Sequence, residues 1–560
     1  MRRKVFLLTA LLTVGVFALL PVVLPSEASN KKTSSLPSSL KADAIAGKLQ
    51  GPVTVTITPV FPSQAQMDVL IKTIKAHSSV AKLLDGTQHR LISVEYPEGK
   101  LLAISQKKVR LTFYDYTNDR PIVADSSIND TRLTTASIDK VQPLPSPEEF
   151  DAAADIVRKH PDYAGLFNNG ATVYRTMPPL MSENVGSERT LTVGIEAPKS
   201  DTPNQIVAVN MIRGTVTTFV NNAPPTAKAT AAACGLPGAG QGTTSRGTAG
   251  QFNLTISASG SPIWQMTVIR PSASSGTRGS GVEIRDVTYL GKTILKRAHV
   301  PILNVLYDNG ACGPYRDWQW QEGSFIANGT DVAPGIRQCT SAPQTYLESQ
   351  SDTGNFRGVA IYQDPVNNEV TIVSELEAGW YRYISRWEFS PSGVIRARFG
   401  FDGVNNSCVC NAHFHHAYFR LDFDLNGAGR NRFTEYDTRS FFTPLLTETK
   451  RFRDYIRGRY WTVENLLSNE LVTVRPGAND GIADTYARGD AWFLRYRSTE
   501  LDDGRNSTGS NTEANLDAFV NGESIDEQDV VMWYSGHFYH VYAGGETGHL
   551  VGPDIIVNRW

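Results

Sequence analysis

Apolar positions recur along this chain with two different periods, and the change of period divides it. From about Gly51 to Val141, runs such as Val53-Thr54-Val55-Thr56-Ile57 and Val109-Arg110-Leu111-Thr112-Phe113-Tyr114 read as strands, around a stretch near Met67 to Ile74 with helical spacing. A second block opens at Pro145-Ser146-Pro147-Glu148-Glu149. Ser146 is a good N-cap, Pro147 suits the first helical position, and Glu149 completes a capping box. A helix to about Lys159 follows, then strands through about Phe219. Pro224 to Gly250 is rich in Ala, Gly, Thr and Pro and reads as a linker. Beyond it, short runs of Val, Ile, Tyr, Phe and Trp alternate with Gly, Pro, Asn and Asp turns, with few helical stretches. The pattern predicts a mostly β chain: a large antiparallel β-sandwich over 251–560, preceded by two small α+β domains at 51–142 and 143–223 and the linker at 224–250.

The N-terminus has a different character. Arg2, Arg3 and Lys4 precede an apolar run from Val5 to about Leu24, and the small residues Ser26, Ala28 and Ser29 follow. This is the order of a secretory signal, and it predicts export with cleavage near Ala28, a signal peptide at 1–28 and a Ser- and Lys-rich tether at 29–50. The run is also long enough for a retained anchor. No later stretch is apolar enough to span a bilayer, so none is expected after signal removal. The expected location is secreted or extracytoplasmic. Composition narrows the partners: a formal net charge of -2 without long single-sign runs argues against nucleic acid. Five cysteines, Cys234, Cys312, Cys339, Cys408 and Cys410, make disulfides plausible in an exported chain and leave at least one thiol over.

Candidate chemistry concentrates near the C-terminal end. Six of the ten histidines lie between His413 and His549. In His413-Phe414-His415 the two imidazoles share one face of a strand, so they can hold one metal ion of the copper or zinc kind. A third ligand has to come from elsewhere, and the segment Trp533 to His540 offers His537 and His540. Cupins also carry such a pair on a smaller jelly roll.

These residues resemble the copper amine oxidases. His413-Phe414-His415 followed by Arg420-Leu421-Asp422-Phe423-Asp424 and Gly427 is similar to that family's copper strand. Asp529-Val530-Val531-Met532-Trp533 with His540 is similar to its late segment. The resemblance implies copper on His413, His415 and His540, and a peripheral calcium or manganese site on Asp422, Phe423, Asp424, Asp529 and Val530. Two carboxylates with carbonyls suit such a hard cation. It also implies a topaquinone cofactor made from Tyr381, which stands in Trp380-Tyr381-Arg382-Tyr383 with Trp387 downstream. Trp380 replaces the family's Asn and Arg382 its acid. Tyr307 falls where a tyrosine bonds the quinone. Gln321 holds the register of the catalytic aspartate, which leaves Glu322 as the expected base and Asp317 as the next carboxylate.

The family activity would be oxidation of a small primary amine by molecular oxygen and water to aldehyde, ammonia and hydrogen peroxide, in a homodimer. Two alternatives accompany it. One is a copper protein on the same scaffold without the quinone or with altered redox chemistry. The other is a secreted binding protein whose histidines are structural.

Overall fold

The computed structural model describes residues 51–60, 63–97, 108–182, 186–196, 205–218, 234–238, 250–276, 279–308, 315–404, 406–484, 488–503, 515–542 and 549–560. The expected signal, the tether and most of the linker lie outside the described residues. No helix among the described residues is long and apolar enough to cross a membrane.

The chain is mostly β, as its periodicity predicts. Two four-stranded antiparallel sheets come first. His89–Glu95, Lys108–Asp115, Arg120–Ser127 and Thr135–Ile138 form one, and the helices Gln64–Ala76 and Ser78–Leu84 pack Met67, Leu70, Ile74, Val80 and Leu84 onto its Leu111, Phe113 and Ile122. Ser63 and Gln66 form a reciprocal capping box at the start of the first helix, each side chain accepting from the other's backbone N–H (3.3 and 2.8 Å). Thr172–Leu180, Thr190–Glu196, Gln205–Asn210 and Thr215–Thr218 form the second small sheet, covered by Pro147–Lys159 through Phe150, Ala153 and Val157.

Two details differ from expectation. Val53–Pro59 does not join the first small sheet. It pairs with Gln251–Ala258 at the edge of the large one. Ser146 caps its helix, accepting from the Glu149 backbone N–H at 3.2 Å, but the Glu149 carboxylate does not return the bond. It accepts instead from Arg189 Nε and Nη2 (2.8 and 2.6 Å) and from the Tyr116 hydroxyl (2.7 Å). Arg189 and Glu149 are both fully buried. A buried guanidinium left without a carboxylate costs far more than one backbone donor at a helix end, so the ion pair takes the side chain.

The remaining chain builds two large sheets. The ten-stranded sheet runs, in spatial order, Val53–Pro59, Gln251–Ala258, Ser261–Ile269, Glu283–Tyr289, Lys292–Tyr307, His413–Phe423, Val530–His540, Ala491–Arg495 and Thr449–Arg451, with Tyr315–Arg316 beside Lys292–Tyr307. The twelve-stranded sheet has Glu369–Ala378, Tyr381–Phe389 and Val394–Gly403 at its centre. Their inner faces share one apolar cluster that includes Trp264, Leu303, Trp387, Phe399, Phe419 and Tyr534, all nearly inaccessible to solvent. Burying such side chains is worth roughly 1.5–3 kcal/mol each. Strands at the flank keep strict alternation, as in Asn431–Asp437, whereas His413–Phe423 is buried on nearly every residue because its outer face is covered too.

Candidate metal centre

Three strand ends meet at one end of the sandwich. His413 opens the strand His413–Phe423, His540 closes the antiparallel strand Val530–His540, and the two are direct partners. Residues opposite one another across antiparallel strands point to the same face, so His540 joins His413 and His415 there. Tyr381 arrives from the other sheet. Ala378 pairs with Tyr381 around Gly379-Trp380, and Gly379 takes φ 58°. A two-residue hairpin with a left-handed first position asks for glycine there. This turn sets Tyr381 at the first position of its strand, facing the histidines.

The ring nitrogens of His413, His415 and His540 offer ligand atoms within 4.8 Å of one another. His413 Nδ1 donates to the Asn411 carbonyl (2.6 Å), which leaves Nε2 as a lone pair turned into the cluster. His413 Nε2 and His540 Nδ1 are 3.3 Å apart. The Tyr381 hydroxyl is hydrogen-bonded to His413 Nε2 and lies 2.9 Å from His540 Nδ1. Burial lowers the pKa of His413 to about 3 and that of His415 well below the ordinary histidine range, so both stay neutral. Both nitrogens of His415 are buried without a hydrogen-bond partner among the described residues. Leaving a buried polar group unsatisfied costs about 1–3 kcal/mol, and a metal ion removes that penalty at the one nitrogen it binds. Neutral, convergent and partly orphaned imidazoles fit copper.

The other predicted residues divide. Tyr307 is brought in: it pairs with His413 in the sheet, its ring stacks on the imidazole at 4.4 Å, and its hydroxyl accepts from Trp380 Nε1 (2.8 Å). Trp380 therefore fills the place expected for Asn by bracing Tyr307. Arg382 points to the opposite face of its strand, where Asp352 takes Nε and Nη2 at 2.5 and 2.6 Å. Its charge is neutralised away from Tyr381.

Glu322 is not brought to the cluster. Both its oxygens are engaged by Arg270 (3.0 and 2.5 Å), with Ser272 Oγ donating at 3.2 Å. Gln321 lies between Arg175 and Glu377. Asp317 does approach the site. It accepts from the Tyr383 hydroxyl, and the Tyr383 ring stacks on Tyr381 at 5.6 Å. Burial raises the Asp317 pKa to about 8, against the opposing hydrogen bond from Tyr383. Asp317 Oδ1 has no partner among the described residues. Tyr383 and Asn411 were not singled out from sequence. The period of two would have placed Tyr383 beside Tyr381, whereas nothing local marks the Asn411 carbonyl.

On the outer face of the same strands, Asp422, Asp424 and Asp529 bring carboxylate oxygens within 4.8 Å of one another. Phe423 and Val530 are cross-strand partners at that end. His537 pairs with His416, also on the outer face. Their Nδ1 atoms are 2.8 Å apart, and His537 Nε2 lies 3.0 Å from Asp490 Oδ1.

No protein-family profile matches the chain. It is 25% identical to primary amine oxidase 2 of Arabidopsis thaliana over a 232-residue alignment that covers 31% of this chain. The match spans about a third of that relative's length (34%). Among solved structures it resembles a copper-containing benzylamine oxidase from Hansenula polymorpha (TM-score 0.55, 13% identity, 91% of this chain and 98% of that one). It also resembles the lysyl oxidase of Pichia pastoris (TM-score 0.54, 13% identity, 91% and 90%) and the amine oxidase of Aspergillus nidulans (0.51, 13%, 91% and 91%). At that identity the likeness establishes the fold, which is the one these oxidases share.

Proposed function

We propose that this divergent relative of the copper amine oxidases is an exported copper-dependent oxidase acting on a small primary amine, with copper on His413, His415 and His540 and a quinone made from Tyr381. The observation that carries the reading is the Tyr381 hydroxyl bonded directly among the three histidines. A tyrosine in that position is where a redox metal can direct oxidation of its own ring. The quinone would supply an electrophilic carbonyl that accepts the amine and its electrons. The remaining roles fall to the chain's own residues. The neutral imidazoles hold the metal. Tyr307, braced by Trp380, packs on His413 and keeps that ligand in place. Asp317 takes up the substrate proton, with Tyr383 fixing one carboxylate oxygen and leaving the other open.

The test is mass analysis of the peptide containing Tyr381 after aerobic copper loading. The expected product carries two more oxygens and two fewer hydrogens than tyrosine. Unmodified tyrosine in a protein that has bound copper removes the amine oxidase reading and leaves the copper protein without a quinone. Trp380 favours that second reading, because an indole stands where the family has the Asn that precedes its cofactor tyrosine.

We further propose a calcium or manganese ion on Asp422, Asp424 and Asp529, with the Phe423 and Val530 carbonyls. Terbium luminescence is expected to report this site, and Asp424→Asn to weaken binding at least tenfold without loss of copper. Equal terbium signals from wild type and variant would leave the three aspartates as ordinary acidic residues.

A further inference from the structure

A short segment stands against the loop that enters the metal strand. Cys234 is disulfide-bonded to Cys410. Around that bond, the Cys234 N–H donates to Asn406 O (3.3 Å), the Asn406 N–H donates to Cys234 O (2.9 Å), and the Leu236 N–H donates to Gly403 O (3.0 Å). Gly235, at φ 94°, lies so close that a Cβ there would stand 2.7 Å from Gly403 O and 2.8 Å from the Val404 carbonyl carbon. The contact is therefore built backbone to backbone, and only glycine fits it. The loop is fixed from within as well. Asn406 Oδ1 accepts from the Cys408 N–H (2.9 Å), the Asn411 N–H donates to Cys408 O (3.1 Å), Val409 is fully buried, and Cys408 is itself disulfide-bonded.

The loop ends on a group that orients His413 from behind. The Asn411 carbonyl, next in sequence to Cys410, accepts from His413 Nδ1 at 2.6 Å. That bond sets the ring's angle and its tautomer, and with them the direction of the Nε2 lone pair.

We propose that the Cys234–Cys410 disulfide is a positioning device for the metal site, acting on His413 through the Asn411 carbonyl. The inference rests on the metal reading above. With the disulfide opened, the loop can draw back, the carbonyl loses its fixed place, and His413 keeps the Tyr307 stack but loses the hydrogen bond that sets its tautomer and ring angle. His415 and His540, held by the strands themselves, keep theirs. An outer-shell partner of a metal-bound histidine is typically worth about 10–100-fold in affinity, and that is the size of the expected effect.

The experiment titrates metal-free full-length protein with cobalt(II) and follows the visible d–d band. Wild type is compared with the Cys234→Ser/Cys410→Ser variant, and thermal unfolding checks that the variant is folded. The expected result is binding weakened about 10–100-fold and a shifted band in a folded variant, because a general loss of stability would leave the spectrum of the bound ion unchanged. Should the variant fail to fold, the Cys408→Ser variant, which lacks the second bond of the loop, is titrated before and after a phosphine reductant, removed before titration, has opened Cys234–Cys410. Unchanged affinity and an unchanged band overturn the proposal. Wild type that takes up no cobalt at all overturns the metal reading itself, and this inference with it.

Discussion

Replacing His540 by Ala is expected to abolish stoichiometric copper, while His537→Ala leaves it in place. Both histidines lie on Val530–His540, three residues apart, and the strand register separates them. His540 is the partner of His413, so it points between the sheets. His537 is the partner of His416 and points outward. There His537 is already engaged: its Nε2 meets Asp490 Oδ1 at 3.0 Å, and Asp490 is also paired with Arg453 at 2.8 Å. Losing one of three directly coordinating imidazoles should weaken copper by more than the roughly 10–100-fold of an outer-shell change. Metal analysis of dialysed protein decides it. Copper lost from His537→Ala and kept by His540→Ala would show that the outer histidine pair is the true site.

The second large effect is expected at Asp317. Asp317→Asn should lower turnover of a primary amine such as benzylamine by about 10²–10⁴-fold, the usual worth of a positioned base. Glu322→Gln should leave turnover largely intact while lowering stability by roughly 3–5 kcal/mol, because Arg270 loses its buried partner. Burial places the Asp317 pKa at about 8. A base must be unprotonated, so kcat/KM should rise with pH through a limb near that value and fall below it.

The stability effect of Asp317 has the opposite sense. An unfolded aspartate ionises near pH 4, and the folded site favours the neutral form. Between that pH and about 8 the folded state therefore forgoes an ionisation available to the unfolded chain. The penalty is absent at lower pH and complete above 8. Asp317→Asn should accordingly raise the unfolding temperature at neutral pH while removing activity. Full turnover in Asp317→Asn, together with loss of turnover in a Glu322→Gln protein shown to be folded, would return the role of base to Glu322.

Much of this was legible in the chain. Period-two runs, the turn residues between them and the capped helix at Ser146 are properties of contiguous sequence, so they predict the mostly β architecture directly. The same local rule puts His413 and His415 on one face. It also puts Asp422 and Asp424 on the other, because an unbroken strand reverses its face at every residue.

Other features depended on segments far apart in the chain. Strand parity alone left His537 and His540 as candidates, and the resemblance of the late segment pointed to His540. The physical reason is the register between two strands more than a hundred residues apart, which sets His540 opposite His413. Glu322 sat nearest the expected position in sequence, yet Arg270, about fifty residues away, holds it elsewhere, and Asp317 faces Tyr383 instead. The charge of Arg382 looked out of place beside Tyr381 until Asp352 was found on the far side of the sheet. Glu149 had a local partner at its helix start and took a distant one, Arg189. The physical reason is common to these cases. Backbone periodicity is set by neighbours along the chain, whereas a buried charge or a ligand nitrogen goes where desolvation leaves it a partner, and only the packed sheets bring that partner near.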